Sequence, residues 1–303
     1  MTAILSFLSP LAITPEMLIR STAVSHTAGE LEWSAGTSWA KGAVVFRTPL
    51  ARRYENLIAG VDTGLPEDTP ERWYDLGATD RMTMFDSEVG TQSIADGALT
   101  VVFRPGAFNG LFLAGLEGTH LDIAVRDYVG GEVLLNYSGS LEGSQPADYY
   151  DWCFAPFRQM TDFIALDIAP YGRSEVSITI SYPGSVAKCG IAALGDMKGL
   201  GPSLAGLTVE PKSYARITTN SRGETAIRKG KSARDMSISA LIPIADADSV
   251  VAEMSDVLGV PCVVIASDST QMQAARVFGL PSGKVTYPGG QYANLSMTVQ
   301  GMI

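Results

Sequence analysis

Residues 33–86 read WSAGTSWAKGAVVFRTPLARRYENLIAGVDTGLPEDTPERWYDLGATDRMTMFD, and this stretch decides how the rest of the chain is interpreted. Strand-like runs at residues 43–46 and 54–58 alternate with turns that are rich in glycine, proline and aspartate, which predicts a small β meander. Two strands alone are only marginally stable in water. Burial of several aromatic side chains, at about 150–250 Å² each, would hold such a module together.

The order of residues in this stretch resembles that of the small chitin-binding carbohydrate modules. Those modules carry a Trp, then an aromatic-x-x-Gly-x-x-Val strand, a Tyr strand, a Gly-x-Pro turn and a closing Trp. The matching residues in this chain are Trp33, Trp39, Gly42, Val45, Tyr54, Gly64, Pro66 and Trp73. The chain departs from the pattern at Trp39, which stands where a Tyr is usual.

Residues 73–86 extend the resemblance to another class of protein. Their pattern, W-x-x-x-G-x-T-D-R-x-x-M-F-D, is similar to the end of a module found inside tail and baseplate proteins of tailed bacteriophages. In that family the module interrupts or precedes a β-sandwich. The resemblance implies a virion protein of the tail tip or baseplate, assembled in the host cytoplasm. It also implies other tail proteins as partners, a homo-oligomeric ring and weak binding of a host surface glycan.

The chain of 303 residues is predicted to be mainly β and to contain several domains. A leader at residues 1–26 precedes the carbohydrate-binding-like module at residues 27–85. An antiparallel β-sandwich is expected at residues 86–199. Residues 200–303 are expected to form a β-rich domain with one helix, similar to C-terminal regions of phage tail proteins.

Alternation of apolar and polar residues predicts the sandwich. Residues 120–127 and 174–181 alternate with a period of two, as half-buried strands do. Seven or eight segments of this kind, with no helical period among them, favour an antiparallel sandwich. Their order, with the turn at residues 167–171, resembles jelly-roll domains of the galactose-binding type. The aromatic side chains expected to pack inside it are Tyr149, Tyr150 and Trp152.

Two helices are predicted from capping residues and spacing. Thr14 followed by Pro15 predicts a short helix that ends near Arg20. A longer helix is predicted after Asp246, with Gly259 as its C-cap. The apolar face expected to pack on the C-terminal sheet consists of Val250, Val251, Met254, Val257 and Leu258.

Composition narrows the classes of function. The formal net charge is −10, so a nucleic-acid partner is not expected, although Arg52–Arg53 and residues 222–234 form basic clusters. Three widely spaced cysteines favour buried thiols over disulfides or a zinc site. No apolar run reaches 18 residues, so no membrane span is predicted.

Known catalytic motifs are absent from the sequence. The two histidines, His26 and His120, lie outside any recognisable triad, and no nucleophile elbow, P-loop or H-E-x-x-H segment occurs. We therefore predict a protein that is not an enzyme and needs no cofactor or metal. An alternative stays open, since nothing rules out a carboxylate pair: a carbohydrate-binding accessory protein or a glycan-degrading enzyme.

Aromatic side chains are the remaining candidates for a binding site. Sugar rings stack their apolar C–H faces on flat aromatic rings. The candidate glycan-binding residues are Trp39, Tyr54, Trp73 and Tyr74. Trp33 and Trp73 are expected to belong to the core of the module, whereas Trp39 and Tyr54 are expected to be more open.

Overall fold

The computed structural model describes residues 4–24, 26, 29–86, 88, 90–141, 148–154, 159–204, 206–219, 223, 225–228, 230, 232–267 and 270–302. The chain divides into two compact units. One unit is Ala12–Ala193, and the other combines Met1–Leu11 with Leu194–Ile303. This grouping places the predicted module and residues 86–193 of the predicted sandwich in one unit. It assigns residues 194–199 to the other unit and divides the predicted leader.

The strands are numbered in chain order. The first eight are β1 (Ile4–Pro10), β2 (Leu18–Ser21), β3 (Leu31–Glu32), β4 (Ser38–Trp39), β5 (Val44–Arg47), β6 (Arg52–Asn56), β7 (Gly60–Val61) and β8 (Trp73–Ala78). The next seven are β9 (Ser93–Phe103), β10 (Gly110–Ala114), β11 (His120–Arg126), β12 (Val133–Ser140), β13 (Asp162–Ala165), β14 (Glu175–Cys189) and β15 (Ile191–Pro202). The last seven are β16 (Thr208–Ser213), β17 (Arg216–Thr219), β18 (Thr225–Arg228), β19 (Ser232–Pro243), β20 (Cys262–Ile265), β21 (Arg276–Thr286) and β22 (Tyr292–Gly301).

Helical segments are few among the described residues. The α-helices are α1 (Tyr149–Phe154) and α2 (Ala247–Asp256). Short 3₁₀ turns lie at Pro15–Met17, Pro66–Asp68, Thr83–Phe85 and Thr270–Ala275. The prediction of a mainly β protein is confirmed. Within the described residues, no helix combines the length and apolar character that crossing a membrane requires.

The Ala12–Ala193 unit contains the predicted β meander. Its four-stranded sheet has the order β3-β5-β6-β8, with β3 and β5 parallel and the other pairs antiparallel. The short strands β4 and β7 form a separate pair, with Trp39 opposite Gly60. The predicted runs at residues 43–46 and 54–58 correspond to β5 and β6, so local pattern located both strands within two residues.

The same unit contains a five-stranded antiparallel sheet in the order β12-β11-β14-β9-β2, and β10 pairs with β13. The predicted alternation is confirmed in β11 and β14, where every second side chain is buried, and the neighbouring strand β9 shows the same pattern. These buried side chains are Leu99, Val101 and Phe103 on β9, Leu121, Ile123 and Val125 on β11, and Val176, Ile178 and Ile180 on β14. The likeness to galactose-binding jelly rolls stays a prediction.

Two local predictions for this unit are wrong. The helix expected from Pro15 to Arg20 is one 3₁₀ turn, because the chain becomes extended at Leu18 and pairs with β9. Residues 149–154 form a short helix whose Tyr149 and Tyr150 side chains are exposed rather than packed in the sandwich. The side chain of Trp152 lies outside the described residues.

The second unit is built on an antiparallel sheet whose strands follow the order β15-β1-β20-β21-β22-β19-β16. The N-terminal strand β1 is an inner strand, pairing with β15 on one side and with β20 on the other. Alternate residues of β19 and β22 form the centre of the core: Met236, Ile238, Ala240 and Ile242 on β19, and Ala293, Leu295, Met297 and Val299 on β22.

Helix α2 covers part of this core, but only some of the residues predicted to form its buried face are buried. Val250, Met254 and Val257 are buried in the core cluster. The prediction is wrong for Val251, which is exposed, and for Leu258, which is 60% exposed. Leu258 points away because the helix ends at Asp256, so it no longer follows the helical period.

Candidate functional site

The module of the predicted glycan site has an aromatic core. This cluster contains Trp33, Trp39, Val45, Tyr54 and Trp73, all buried. The rings of Trp39 and Trp73 meet edge to face, with centroids 6.3 Å apart and planes at 77°. Pairs in this geometry gain about 0.5–1.5 kcal/mol beyond the area they bury. A four-stranded sheet this short therefore obtains its stability from its aromatic side chains.

Polar contacts hold the Trp73 ring and the backbone around Trp39. Trp73 Nε1 donates a hydrogen bond to Asp62 Oδ2 at 2.7 Å, and this bond is the largest cause that holds the pKa of Asp62 below its ordinary value. Burial raises the pKa of the Tyr54 hydroxyl above its ordinary value. The buried amide of Asn56 donates to the carbonyl oxygens of Trp39 and Ala40. The loop that carries Trp39 is thus tied to β6.

Three of the four predicted glycan-binding side chains belong to this core. The prediction that Trp33 and Trp73 are core residues is confirmed, since Trp73 is 1% exposed. The prediction that Trp39 and Tyr54 are more open is wrong, because both rings are buried in the cluster. Tyr74 is the exception, at 59% exposed on the outer face of β8. A sugar ring cannot stack on the buried faces, so the structure leaves Tyr74 as the accessible candidate in this set.

A second feature stands out on the surface of the other unit: a β-hairpin arm made of β17 and β18. Arg216 lies opposite Arg228, and Ile217 lies opposite Ile227. Every described residue of both strands is exposed, including Ile217 at 66% and Ile227 at 70%. Successive side chains alternate between faces, so the two isoleucines share one face of the arm and the two arginines share the other.

The arm continues a ribbon that is anchored in the sheet. The pairing of β16 with β19 ends at Ser213 and Ser232, which precede and follow the arm in the chain. Where the two parts join, a Cβ at Gly230 would collide with the carbonyl oxygen of Tyr214, so only glycine permits this close approach. The arm is therefore held at a defined position although its own side chains bury almost nothing.

Beside helix α2 lies an open groove of about 340 Å³. It is lined by Val251, Met254, Ser255, Leu258, Gly283, Val285 and Tyr287. The Tyr287 hydroxyl donates to Asp248 Oδ1 at 3.2 Å, which fixes the ring at one edge. The two exposed positions that contradicted the predicted helix face, Val251 and Leu258, are thus part of the apolar lining of this groove.

Sequence reasoning did not single out the arm or the groove. A signal was present in the arm, because R-I-T-T at residues 216–219 and T-A-I-R at residues 225–228 mirror each other around residues 220–224. This symmetry predicts a hairpin with its two isoleucines facing the same side. Their exposure could not be predicted, because an isoleucine pair in a hairpin normally faces a core.

Comparison with known proteins adds little to this geometry. Neither family models nor curated proteins give a match to this chain. Among solved structures, a chain from the tail of an empty GTA particle with C6 symmetry is similar at 18% identity and a TM-score of 0.23. The likeness covers 35% of this chain and 84% of that chain. A TM-score this low does not establish a common fold.

Proposed function

We propose that this protein is a non-enzymatic structural component of a phage-like tail, at its tip or baseplate, and that its copies assemble into a ring. The resemblance of residues 33–86 to modules of tail proteins supports the tail assignment. The observation that supports assembly into a ring is the arm, which exposes Ile217 and Ile227 to solvent on an anchored ribbon. On this proposal the protein is located in the virion tail, is assembled in the host cytoplasm and has other tail proteins as partners.

The proposed partner of the arm is the groove beside α2 in a second copy. The Ile217–Ile227 face would lie against Val251 and Leu258, so that each apolar surface covers the other. Removal of exposed apolar area from water contributes about 25 cal/mol per Å². A contact between two different patches is heterologous, and its repetition closes a ring when the rotation between copies allows it.

Charge supports the same pairing. Residues 212–234 contain seven basic residues and one acidic residue, although the whole chain has a net charge of −10. Residues 246–258, which include α2, contain four acidic residues and no basic residue. Within the described part of the chain neither Arg216 nor Arg228 has an ion-pair partner, and like charges placed opposite each other destabilise a hairpin. An acidic partner would relieve that repulsion and speed the encounter.

Sedimentation of the full chain at increasing concentration tests the assembly. We expect the wild type to form oligomers and the double variant Ile217→Thr with Ile227→Thr to associate at least about tenfold more weakly, a loss of about 1.4 kcal/mol. Leu258→Asp should give a similar loss from the groove side. Ile19→Thr, which changes an exposed isoleucine on β2, is the matched control and should associate as the wild type does. Unchanged association of the arm variant would contradict the proposal.

A separate experiment tests whether the protein is part of a tail. Electron microscopy of particles labelled with an antibody against this protein should show the label at one end of the tail. Labelling at the head, or labelling only of free protein, would contradict the tail assignment while leaving the arm-to-groove contact testable in solution.

Host glycan binding by the module is proposed only through Tyr74. Its ring is the one in the candidate set with an accessible face, and one stacked ring gives a weak contact. A ring of copies would strengthen such a contact through avidity. Tyr74→Ala should lower adsorption to host cells without lowering the melting temperature. Unchanged adsorption would show that the module has no part in attachment.

A further inference from the structure

One end of the five-stranded sheet carries two adjoining clefts. Cleft one, of about 380 Å³, is lined by Asp127, Tyr128, Tyr171, Gly172 and Arg173. Cleft two, of about 430 Å³, is lined by Met17, Arg104, Pro105, Gly106, Tyr128, Val129, Gly172 and Arg173. Because they share Tyr128, Gly172 and Arg173, we treat them as one cleft, the loop-end cleft. Ligand sites in proteins commonly have volumes in this range.

Three connections at the same end of the sheet supply most of the lining. They are the segments after β9, after β11 and before β14, and the strand register confirms their proximity because Arg126 pairs with Glu175 and Phe103 pairs with Val176. Side chains from connections of this kind are free to vary without disturbing the core, which is why binding sites concentrate there.

Hydrogen bonds hold these connections in place. The Ser174 hydroxyl, which is buried, donates to the Gly106 carbonyl oxygen and so ties the connection before β14 to the one after β9. Asp127 Oδ1 accepts a hydrogen bond from the Tyr128 backbone N–H at 2.8 Å, and the N–H of Gly131 donates to the Tyr128 carbonyl oxygen at 3.0 Å. Tyr128 is therefore positioned by its own turn.

The side chains of the loop-end cleft combine two kinds of chemistry. Tyr128 and Tyr171 are about half exposed, and their flat rings suit the apolar face of a sugar. The Arg173 side chain has no hydrogen bond or ion pair within the described part of the chain, and the Arg104 side chain has only a 3.9 Å ion pair with Glu175 among the residues described. A guanidinium binds a carboxylate or phosphate through two parallel hydrogen bonds. Two available cations beside two open aromatic rings are unexpected on a chain with a net charge of −10.

We propose that the loop-end cleft binds an acidic saccharide, whose sugar ring stacks on Tyr128 or Tyr171 and whose anionic group is held by Arg173 and Arg104. The Asp127 carboxylate, at the edge of the cleft, accepts hydrogen bonds from sugar hydroxyls. The anion is the carboxylate of a uronic acid or the phosphate of a phosphorylated sugar, since both present the same paired oxygens to a guanidinium. This site is separate from the aromatic module, and the proposal depends neither on the ring nor on the tail assignment.

Isothermal titration calorimetry on the full chain tests the proposal with four probes: trigalacturonate, mannose 6-phosphate, neutral maltotriose and inorganic phosphate. We expect at least one of the two acidic sugars to bind, and to bind at least about tenfold more tightly than maltotriose and phosphate. The acidic sugar that binds identifies the anion. Equal binding of the acidic and neutral sugars, binding of phosphate alone, or no binding of either acidic sugar would overturn the proposal.

Variants then locate the site. Arg173→Gln and the double variant Tyr128→Ala with Tyr171→Ala should each weaken binding of the acidic sugar at least about tenfold, whereas Tyr128→Phe with Tyr171→Phe should retain binding because both rings remain. Arg81→Gln and Tyr292→Ala remove an exposed arginine and an exposed tyrosine that lie outside the loop-end cleft, and both variants should bind as the wild type does. Loss of binding in Tyr74→Ala with retention in the double alanine variant would move the site to the module and overturn the proposal. Thermal melts of each variant confirm that the chain is folded.

Discussion

The aromatic module and the hairpin arm are both short β structures, and they use their apolar side chains in opposite ways. The module buries Trp39, Tyr54 and Trp73 in its own core. The arm leaves Ile217 and Ile227 in solvent and depends on the ribbon of β16 and β19 for its position. A small sheet with no support from neighbouring strands must bury its large side chains to fold. An anchored hairpin is held by the strands that carry it, so its apolar side chains are available to contact a partner. Substitutions in the module, beside α2 and in the arm test this difference.

Trp73→Ala should have the largest effect. It removes the most deeply buried ring of the module and the hydrogen bond to Asp62, so we expect the free energy of unfolding to fall by about 3–5 kcal/mol. Denaturant unfolding followed by tryptophan fluorescence and circular dichroism measures the change. A cost below about 1 kcal/mol would show that the module is not held together by its aromatic core. The proposed difference between the module and the arm would then be wrong.

Met254→Ala and Leu258→Ala form a matched pair on and just beyond α2. Met254 is buried in the core, and its loss should cost about 2–5 kcal/mol. Leu258 lines the groove but is exposed, so its loss should change stability by no more than about 0.5 kcal/mol. Urea melts at a concentration where the chain is monomeric separate the two. Equal costs would mean that the groove is part of the core and is not available to a second copy.

Much of the fold could be predicted from local sequence, and the failures have identifiable causes. Period-two alternation located β11 and β14 because one face of each strand is buried and the other is not. The predicted buried face of α2 was wrong at Leu258 because the spacing of apolar residues alone does not show where a helix ends. The inner place of β1 depends on pairing with strands about 190 and 260 residues later, which no local pattern contains.

The candidate site could be predicted less well than the fold. Sequence identifies aromatic residues, but the choice between core and surface for Trp39 and Tyr54 depends on how β4 and β6 are arranged in space. The loop-end cleft escapes sequence reasoning because its residues come from separate connections. Arg104, Tyr128 and Arg173 form no motif in the chain, and only the strand register brings them together.

Asp86 follows the module, where the chain turns towards β9. Its titration should make the stability of the fold depend on pH, with an effect of intermediate size. Burial raises the pKa of its carboxyl to about 6. A folded-state pKa above the unfolded value means that the protonated form stabilises the fold, so stability is lost as pH rises through the range from about 4 to 6. Because Asp86 is partly solvent exposed, we expect a loss of about 1–2 kcal/mol.

Asp86→Asn should remove this dependence. The amide oxygen still accepts the hydrogen bonds from the Glu88 N–H and the Thr91 hydroxyl, so the variant should be more stable than the wild type at about pH 7.5 and nearly equal to it at about pH 4. Urea melts at the two pH values measure the difference. A variant that is less stable at the higher pH would show that the ionised carboxylate stabilises the turn, contrary to the shift.

The smallest effect on stability should come from the arm. Threonine has a strand propensity close to that of isoleucine and loses little when its side chain is already in solvent, so Ile217→Thr with Ile227→Thr should change the unfolding free energy of the monomer by less than about 0.5 kcal/mol. The same variant is expected to weaken association at least about tenfold. In the arm, loss of apolar area should therefore weaken association without changing stability. In the module, loss of apolar area should lower the unfolding free energy itself. Urea melts of the double variant at low protein concentration provide the measurement. A loss on the scale of about 2–5 kcal/mol, as for truncation of buried residues, would show that the isoleucines are part of a core and that the arm folds by the same rule as the module.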